Sequence, residues 1–476
     1  MLENISPKEV FVFFEEISHI PRGSYNEEAI GDYLVTFAKD RGLECHKDNA
    51  GNVIIIKEAT SGYENKEPII LQGHMDMVCE KDHGIDKDMT KEGLDLEVVD
   101  GYVTAIGTTL GGDDGIALAY GLAILDSSKI KHPRLEVIFT VSEEVGMDGA
   151  RGLDTSYITG KKLINIDSEE EGVLTVGCAG GGRISVNLSV KREECEYDHI
   201  LISVSGLLGG HSGSDINLGR ASSYSLLVRI YKAIYEKMDM RFVDFQTGSL
   251  INVISNSAVT ELAVADVNEC KQIIEKLSYE IKEEYQESDS NITIKVQEKE
   301  SDKMPLTQED TIKVSTILAS MPQGVTRMSE DFEGAVETSI NWGVCEIEND
   351  ELVMKGLVRS QIDDRTYELL NRVSWIAKGN GAKAEIDSNY PAWQFNKESK
   401  LSNKMCSIYK EMFSKEEKIE VIHAGLECGF FIDKIEGLDA VSMGPDILDI
   451  HTTNERLDIE SVGRTWDFLL RVLEEA

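Results

Sequence analysis

Ile69-Ile-Leu-Gln-Gly-His74-Met-Asp76 is a short apolar run that ends on a histidine and an aspartate. Two further runs end in the same manner. Arg134-Leu-Glu-Val-Ile-Phe-Thr-Val141 leads into Ser142-Glu143-Glu144, and Lys162-Leu-Ile-Asn-Ile-Asp167 closes on an aspartate. Continuous apolar runs of this length read as buried strands. Amphipathic patterns over 7–16 and 27–40, and the apolar stretch 115–125, read as helices around them. This alternation predicts an α/β fold built on a mostly parallel sheet. In such sheets ligands collect outside the carboxyl ends of the strands, which is where these imidazole and carboxylate side chains fall.

Working outward, the pattern is interrupted at Gly177-Cys-Ala-Gly180-Gly-Gly182. That cluster lacks the GxGxxG order and the following Lys-Ser/Thr of a phosphate loop, so it is read as a hinge or tight turn. From Arg183 the segment Ile184-Ser-Val-Asn-Leu-Ser-Val190 alternates strictly, as a half-solvated strand does. The stretch to about Tyr390 mixes alternating strands with helices around 221–236 and 267–287, an α+β composition that suits two ferredoxin-like halves. After Pro391-Ala-Trp393 the character of the first segment returns, with helices at 399–413 and 459–473 and a strand at 419–422. The expected organisation is a split catalytic domain, 1–183 and 391–476, with an inserted lid domain at 184–390.

The 476 residues carry 48 Lys plus Arg against 86 Asp plus Glu, a formal charge of −38. A surface this acidic repels phosphate backbones and anionic lipid, which argues against nucleic-acid and membrane-surface partners. With 41% hydrophobic residues the chain supports a large core and is not of disordered composition. No apolar run approaches the ~18 residues of a membrane helix, and the first residues lack a secretory pattern, so a cytoplasmic protein is expected. The eight cysteines are far apart with no CxxC pair and read as scattered thiols.

The chemistry lies in five short pieces: His74-Met-Asp76, Leu110-Gly-Gly-Asp113-Asp114-Gly115, Ser142-Glu143-Glu144-Val-Gly146, Asn165-Ile-Asp167 and Asp449-Ile-His451-Thr-Thr453. Two histidines with several carboxylates form a coherent ligand set for a pair of divalent ions, because imidazole suits zinc, cobalt and manganese and a carboxylate can bridge two ions. Strand periodicity puts His74 and Asp76 on one face, so the carboxylate can accept the imidazole's other N–H and fix its tautomer. Adjacent Glu143 and Glu144 point in different directions, one towards ligation and the other towards a reacting water. There is no HExxH and no GxSxG motif, which removes two other hydrolase classes. Histidines 19, 46, 83, 132 and 199 lie in polar surroundings and read as surface residues.

Taken together the pieces resemble the di-zinc aminopeptidase and carboxypeptidase superfamily that includes carnosinase, peptidase V, aminoacylase and succinyl-diaminopimelate desuccinylase. Gln72-Gly-His74-Met-Asp76-Met-Val78, Gly112-Asp113-Asp114-Gly115 and His423-Ala-Gly425-Leu-Glu427-Cys-Gly429 are most similar to the aminoacyl-histidine dipeptidase (cytosol nonspecific dipeptidase, peptidase D) branch. The resemblance implies that His74, Asp113 and Asp167 serve one ion and Asp113, Glu144 and His451 the other. Zn2+ is the expected metal, with Co2+ and Mn2+ left open. It also implies that Asp76 orients His74, that Glu143 is the general base, and that the peptide after Asp113 is cis. His211, in Gly209-Gly-His211-Ser-Gly213, resembles the histidine that closes over the substrate and stabilises its oxyanion. Asn252 and Arg359 match substrate-contact positions, the guanidinium being suited to a terminal carboxylate.

His423 and Glu427 have i, i+4 spacing, which would suit a metal pair on a helix, but Gly425 and Gly429 favour a loop beside the substrate. The implied activity is hydrolysis of small unblocked dipeptides, including carnosine-like Xaa-His substrates. An N-acyl amino acid deacylase and a catalytically silent metal-binding homologue are the alternatives, and a homodimer is a possible assembly. One departure from the pattern is Gly112, where many relatives carry alanine before the aspartate pair, a change expected to leave ligation undisturbed while it could loosen the loop.

Overall fold

The computed structural model describes residues 2–475. The chain forms two compact units, one of residues up to Gly177 with Phe395–Val421 and Leu426–Ala476, the other of Cys178–Gln394 with Ile422–Gly425. These divisions differ from the 183 and 390 read from the sequence. The glycine run is not a hinge or a turn, because Gly180–Ser189 is a continuous strand. Gly180, Gly181 and Gly182 pair with Ser360, Arg359 and Val358. A Cβ on Gly181 would lie 2.5 Å from the Tyr390 hydroxyl, so the glycine leaves room for the ring of its neighbour on the paired strand.

In the first unit an eight-stranded sheet has four parallel strands at its centre, in the order Leu135–Thr140, Ile69–His74, Lys162–Asn165, Asp439–Ser442. Val53–Lys57 and Glu44–Lys47 extend one side antiparallel, and Val173–Cys178 joins the other side antiparallel. Every residue of Ile69–His74 and of Leu135–Thr140 is buried, which explains their unbroken apolar character. In register, His74 stands beside Thr140 and Gln72 beside Asn165, so the strand ends form one row.

Helix Gly112–Asp126 covers this row's sheet and is buried from Gly112 to Leu125. A helix apolar on all sides belongs inside a core. Its Tyr120 ring stacks on Trp466 at 5.6 Å, and the Tyr120 hydroxyl donates to the Val462 carbonyl at 2.9 Å. A separate four-stranded sheet pairs Ile447–Leu448 with Arg456–Asp458, and the latter with Tyr102–Ala105. The loop between the first two strands carries His451, which adopts a left-handed φ of 61°.

The second unit is a nine-stranded antiparallel sheet with helices Ser223–Tyr235, Val267–Glu284, Gln308–Ser320 and Asp363–Gly379. Where its two halves meet, the sheet pairs Gln246 with Glu346 and Thr247 with Cys345, and Asn341 Nδ2 donates to the Val253 carbonyl at 2.8 Å. Three of the histidines read as surface residues have definite partners, and one of them, His132, is not at the surface. His132 is fully buried, its Nδ1 2.7 Å from the Pro133 carbonyl. His199 and His46 each meet a carboxylate at 2.8 Å, Glu261 and Glu44 respectively. None of the eight cysteines forms a disulfide.

Tyr120→Phe removes one buried hydrogen bond and leaves the stacked ring in place. It should lower the stability of the first unit by about 1 kcal/mol. A urea unfolding midpoint equal to wild type would show that the Val462 contact contributes nothing.

Candidate active site

His74 ends its strand with Nδ1 3.1 Å from the Asp76 backbone carbonyl and 3.4 Å from Asp76 Oδ1. Asp76 therefore meets the imidazole with both its carbonyl and its carboxylate. Its Oδ1 also accepts the Glu143 N–H at 3.0 Å, and Oδ2 accepts from Ser24 Oγ at 2.8 Å and from the Glu144 N–H at 3.3 Å. One buried aspartate thus fixes the imidazole and the turn that carries the two glutamates.

With Nδ1 engaged, Nε2 of His74 faces Asp113 Oδ1 at 3.0 Å and Asp167 Oδ1 at 3.4 Å. The other Asp113 oxygen, Oδ2, lies 3.1 Å from His451 Nε2, and that nitrogen is also 3.1 Å from Glu144 Oε2. Asp113 so presents one oxygen to each histidine, which is the disposition a bridging carboxylate needs. The peptide between Asp113 and Asp114 is cis. Two groups of donors lie within 4.8 Å of one another: His74, Asp113 and Glu144, and His74, Asp114 and Asp167. Asp114, not counted as a ligand in the sequence, accepts the His74 backbone N–H at 3.1 Å. Glu144 Oε1 is buried without a hydrogen-bond partner. A cluster of carboxylates with an orphaned oxygen fits a divalent cation, since a buried acceptor with nothing to accept is costly.

The second unit brings together four of the remaining residues. His211 forms a β-bridge to Val253, beside Asn252, whose carbonyl accepts the Ser212 N–H at 2.9 Å. The Arg359 guanidinium, 6% exposed, contacts His211 Nε2 at 3.2 Å and donates to the Tyr390 hydroxyl at 3.0 Å. His423 Nε2 lies 2.7 Å from Ser339 Oγ, and a Cβ on Gly213 would meet the His423 carbonyl at 2.4 Å. Gly425 also belongs to this unit. Glu427 does not. It is fully buried in the first unit, where its Oε2 accepts from Gln72 Nε2 at 2.6 Å and Thr140 Oγ1 at 2.7 Å. That oxygen is held behind the strand ends while Oε1 is buried without a hydrogen-bond partner, and the helix begins only at Cys428, so His423 and Glu427 share no helical face.

Residues 70–475 match peptidase family M20/M25/M40. The chain belongs to this family. It is 37% identical over 478 residues to the cytosol non-specific dipeptidase of Escherichia coli (strain K12), covering 100% of this chain and 99% of that one. The crystal structure of aminoacylhistidine dipeptidase from Vibrio alginolyticus matches it with a TM-score of 0.94 at 35% identity, over 100% of this chain and 98% of that one. Aminopeptidase PepT from Bacillus cereus shares the fold at 17% identity, with a TM-score of 0.57 over 99% of each chain.

The electrostatics of this peptidase centre follow from burial. Burial opposes charge on Asp113, yet contacts with His451 and His74 hold its carboxyl well below the usual range. Burial likewise opposes a charged His74, but the charge of Asp167 and contacts with Asp113, Asp167 and Asp76 push it well above the ordinary value. His451 is pushed up to about 10 by Asp113 and Glu144. Burial pushes Asp167 to about 6 and raises Glu143 well above normal, where Asp167, Glu427 and Glu144 oppose its charge and His74 favours it.

Sequence reasoning missed two residues of this M20 centre. Arg22 is 1% exposed and donates to the Met75 and Asp76 carbonyls, both at 3.0 Å. Glu455, 2% exposed, accepts the N–H groups of Leu110, Gly111, Gly112 and Asp113. Glu455 also answers the expectation of a loosened loop at Gly112, because that loop is bonded at four successive amides. A Cβ on Gly112 would stand 3.3 Å from Glu455 Oε1. No sequence signal marks either residue, because the groups they bond are backbone carbonyls and amides.

Burial and the Arg359 charge lower His423 to about 3. An unfolded histidine takes up a proton near pH 6.5, whereas the folded one resists it. The stability that neutral His423 supplies is therefore complete above about pH 6.5 and is lost as the pH falls towards 3, by at most ~1.4 kcal/mol per unit. Urea midpoints of wild type and His423→Gln at pH 7 and pH 5 should show a smaller acid loss in the variant. Equal losses would remove the assignment.

Proposed function

We propose that this M20 peptidase hydrolyses small unblocked dipeptides at a pair of divalent ions held by His74, Asp113 and Asp167 and by Asp113, Glu144 and His451. The observation that carries the reading is the position of Asp113, with one oxygen towards each histidine. Two full-length relatives named as dipeptidases support the substrate class. When bound, such ions supply Lewis-acid polarisation and activation of water.

The chain's own residues supply the rest. Asp76 holds the His74 ring so that Nε2 points at the carboxylates, and the same aspartate anchors the Glu143 and Glu144 amides. Glu143 takes no part in the histidine contacts and is left for proton transfer. Its acidity is weakened by burial and neighbouring carboxylates, which suits a group that accepts a proton near neutral pH and returns it to the leaving amine. Arg359 offers a buried guanidinium for a substrate carboxylate, and His211, lowered by burial and by Arg359, is a neutral imidazole suited to hydrogen-bond a developing oxyanion. The substrates are unblocked dipeptides, Xaa-His and broader, the ions are Zn2+, and the site of action is the cytoplasm.

Glu143→Gln should lower turnover by roughly 10²–10⁴-fold with unchanged metal content. Undiminished turnover would end the general-base role. A panel of free dipeptides, β-alanyl-histidine included, against N-acetyl amino acids decides the substrate class. Hydrolysis confined to the acetylated set would overturn the dipeptidase reading. Metal analysis, with chelation and re-addition of Zn2+, Co2+ or Mn2+, identifies the ion.

A further inference from the structure

Arg22 and Glu455 are buried opposite charges that bond almost wholly to backbone. Arg22 Nη1 donates to the carbonyls of Met75 and Asp76, both at 3.0 Å, and Nη2 donates to the carbonyl of Gly111. The Asp76 carbonyl is the one that also faces His74 Nδ1 at 3.1 Å. Glu455 Oε2 accepts from Leu110 and Gly111 at 2.8 and 2.9 Å, and Oε1 from Gly112 and Asp113 at 2.8 and 3.2 Å. Gly111 is thus gripped at its N–H by the carboxylate and at its carbonyl by the guanidinium. The space for that guanidinium exists because two positions lack side chains: a Cβ on Gly111 or Gly115 would lie 2.6 or 2.5 Å from Arg22 Nη2.

We infer that Arg22 and Glu455 form a clamp that sets the spacing of the metal centre, tying the carbonyl that orients His74 and the loop that carries His451 to the segment that presents Asp113. This rests on the reading that His74, Asp113 and His451 hold metal ions. Both members are positioning residues. Arginine is required because a planar fork reaches three carbonyls on two chain segments, whereas a lysine ammonium is a compact point donor. Glutamate is required because two oxygens with four acceptor sites meet four consecutive amides, and an amide side chain would turn donors towards donors. Glu455 follows His451 by four residues on the same loop, so the loop that presents one imidazole also fixes the bridging carboxylate.

The test uses full-length Arg22→Lys and Glu455→Gln beside wild type. Zn2+ affinity is measured by titration of the metal-stripped proteins, ligand geometry by the visible spectrum of the Co2+-loaded proteins, and fold by circular dichroism. Each variant should fold, bind Zn2+ about 10–100-fold more weakly, show altered Co2+ bands, and regain much of its kcat in excess metal. Folded variants with wild-type affinity and spectra would overturn the clamp. So would failure of both variants to fold, which would make the pair a requirement of folding alone. Wild type that binds neither metal would instead sink the reading of the centre itself.

Discussion

Keeping a crowd of carboxylates out of water is the constraint on which the first unit depends. Asp76, Asp113, Asp114, Glu427 and Glu455 are all buried, with Glu144 and Asp167 beside them. An ionised carboxylate without partners costs several kcal/mol inside a protein. The chain meets that cost in three ways. His74 and His451 pair directly with Asp113, Asp167 and Glu144. Backbone amides satisfy Asp76 and Glu455. Glu427 and Asp114 are pushed upward by burial, so their protonated forms are favoured. What remains unanswered, such as the orphaned Glu144 oxygen, is an invitation to cations.

The parallel strands make this arrangement possible by ending together. Because His74 is level with Thr140 and Gln72 with Asn165, side chains from separated parts of the chain start from one line. Gly73 lets the covering helix approach that line, since a Cβ there would fall 2.4 Å from Ala117 Cβ and 2.5 Å from Asp114 Oδ2. The apolar helix behind it, buried over its length, gives the charged end a rigid backing.

Much of this was legible in the sequence because chemistry-bearing residues at strand ends announce themselves. His74, Asp76, Glu143, Glu144 and Asp167 all stand at or immediately past the ends of apolar runs, and His451 was read from the resemblance of Asp449-Ile-His451-Thr-Thr453 to a family motif. Arg22 and Glu455 were not legible, because their partners are carbonyls and amides, which every residue possesses. His132 escaped for the same reason, since the contact its Nδ1 makes is with a neighbouring backbone carbonyl. The glycine run at 180–182 was misread because its cause, Tyr390 on an adjacent strand, lies more than two hundred residues away. At His423 and Glu427 the glycines, not the i, i+4 spacing, were the better guide, since the helix begins only at Cys428.

Asp113 has a thermodynamic consequence as well as a geometric one. A carboxylate divided between two imidazoles makes their surroundings a single electrostatic object. Two cations held as proposed would bind against it with unequal steps: the first would take up charge that the second would otherwise have found. Linkage makes the effect reciprocal, each ion changing the other's affinity by one common factor. Occupancy therefore follows a coupled pair of isotherms, and the fraction of fully loaded protein depends on metal concentration more steeply than for one site alone.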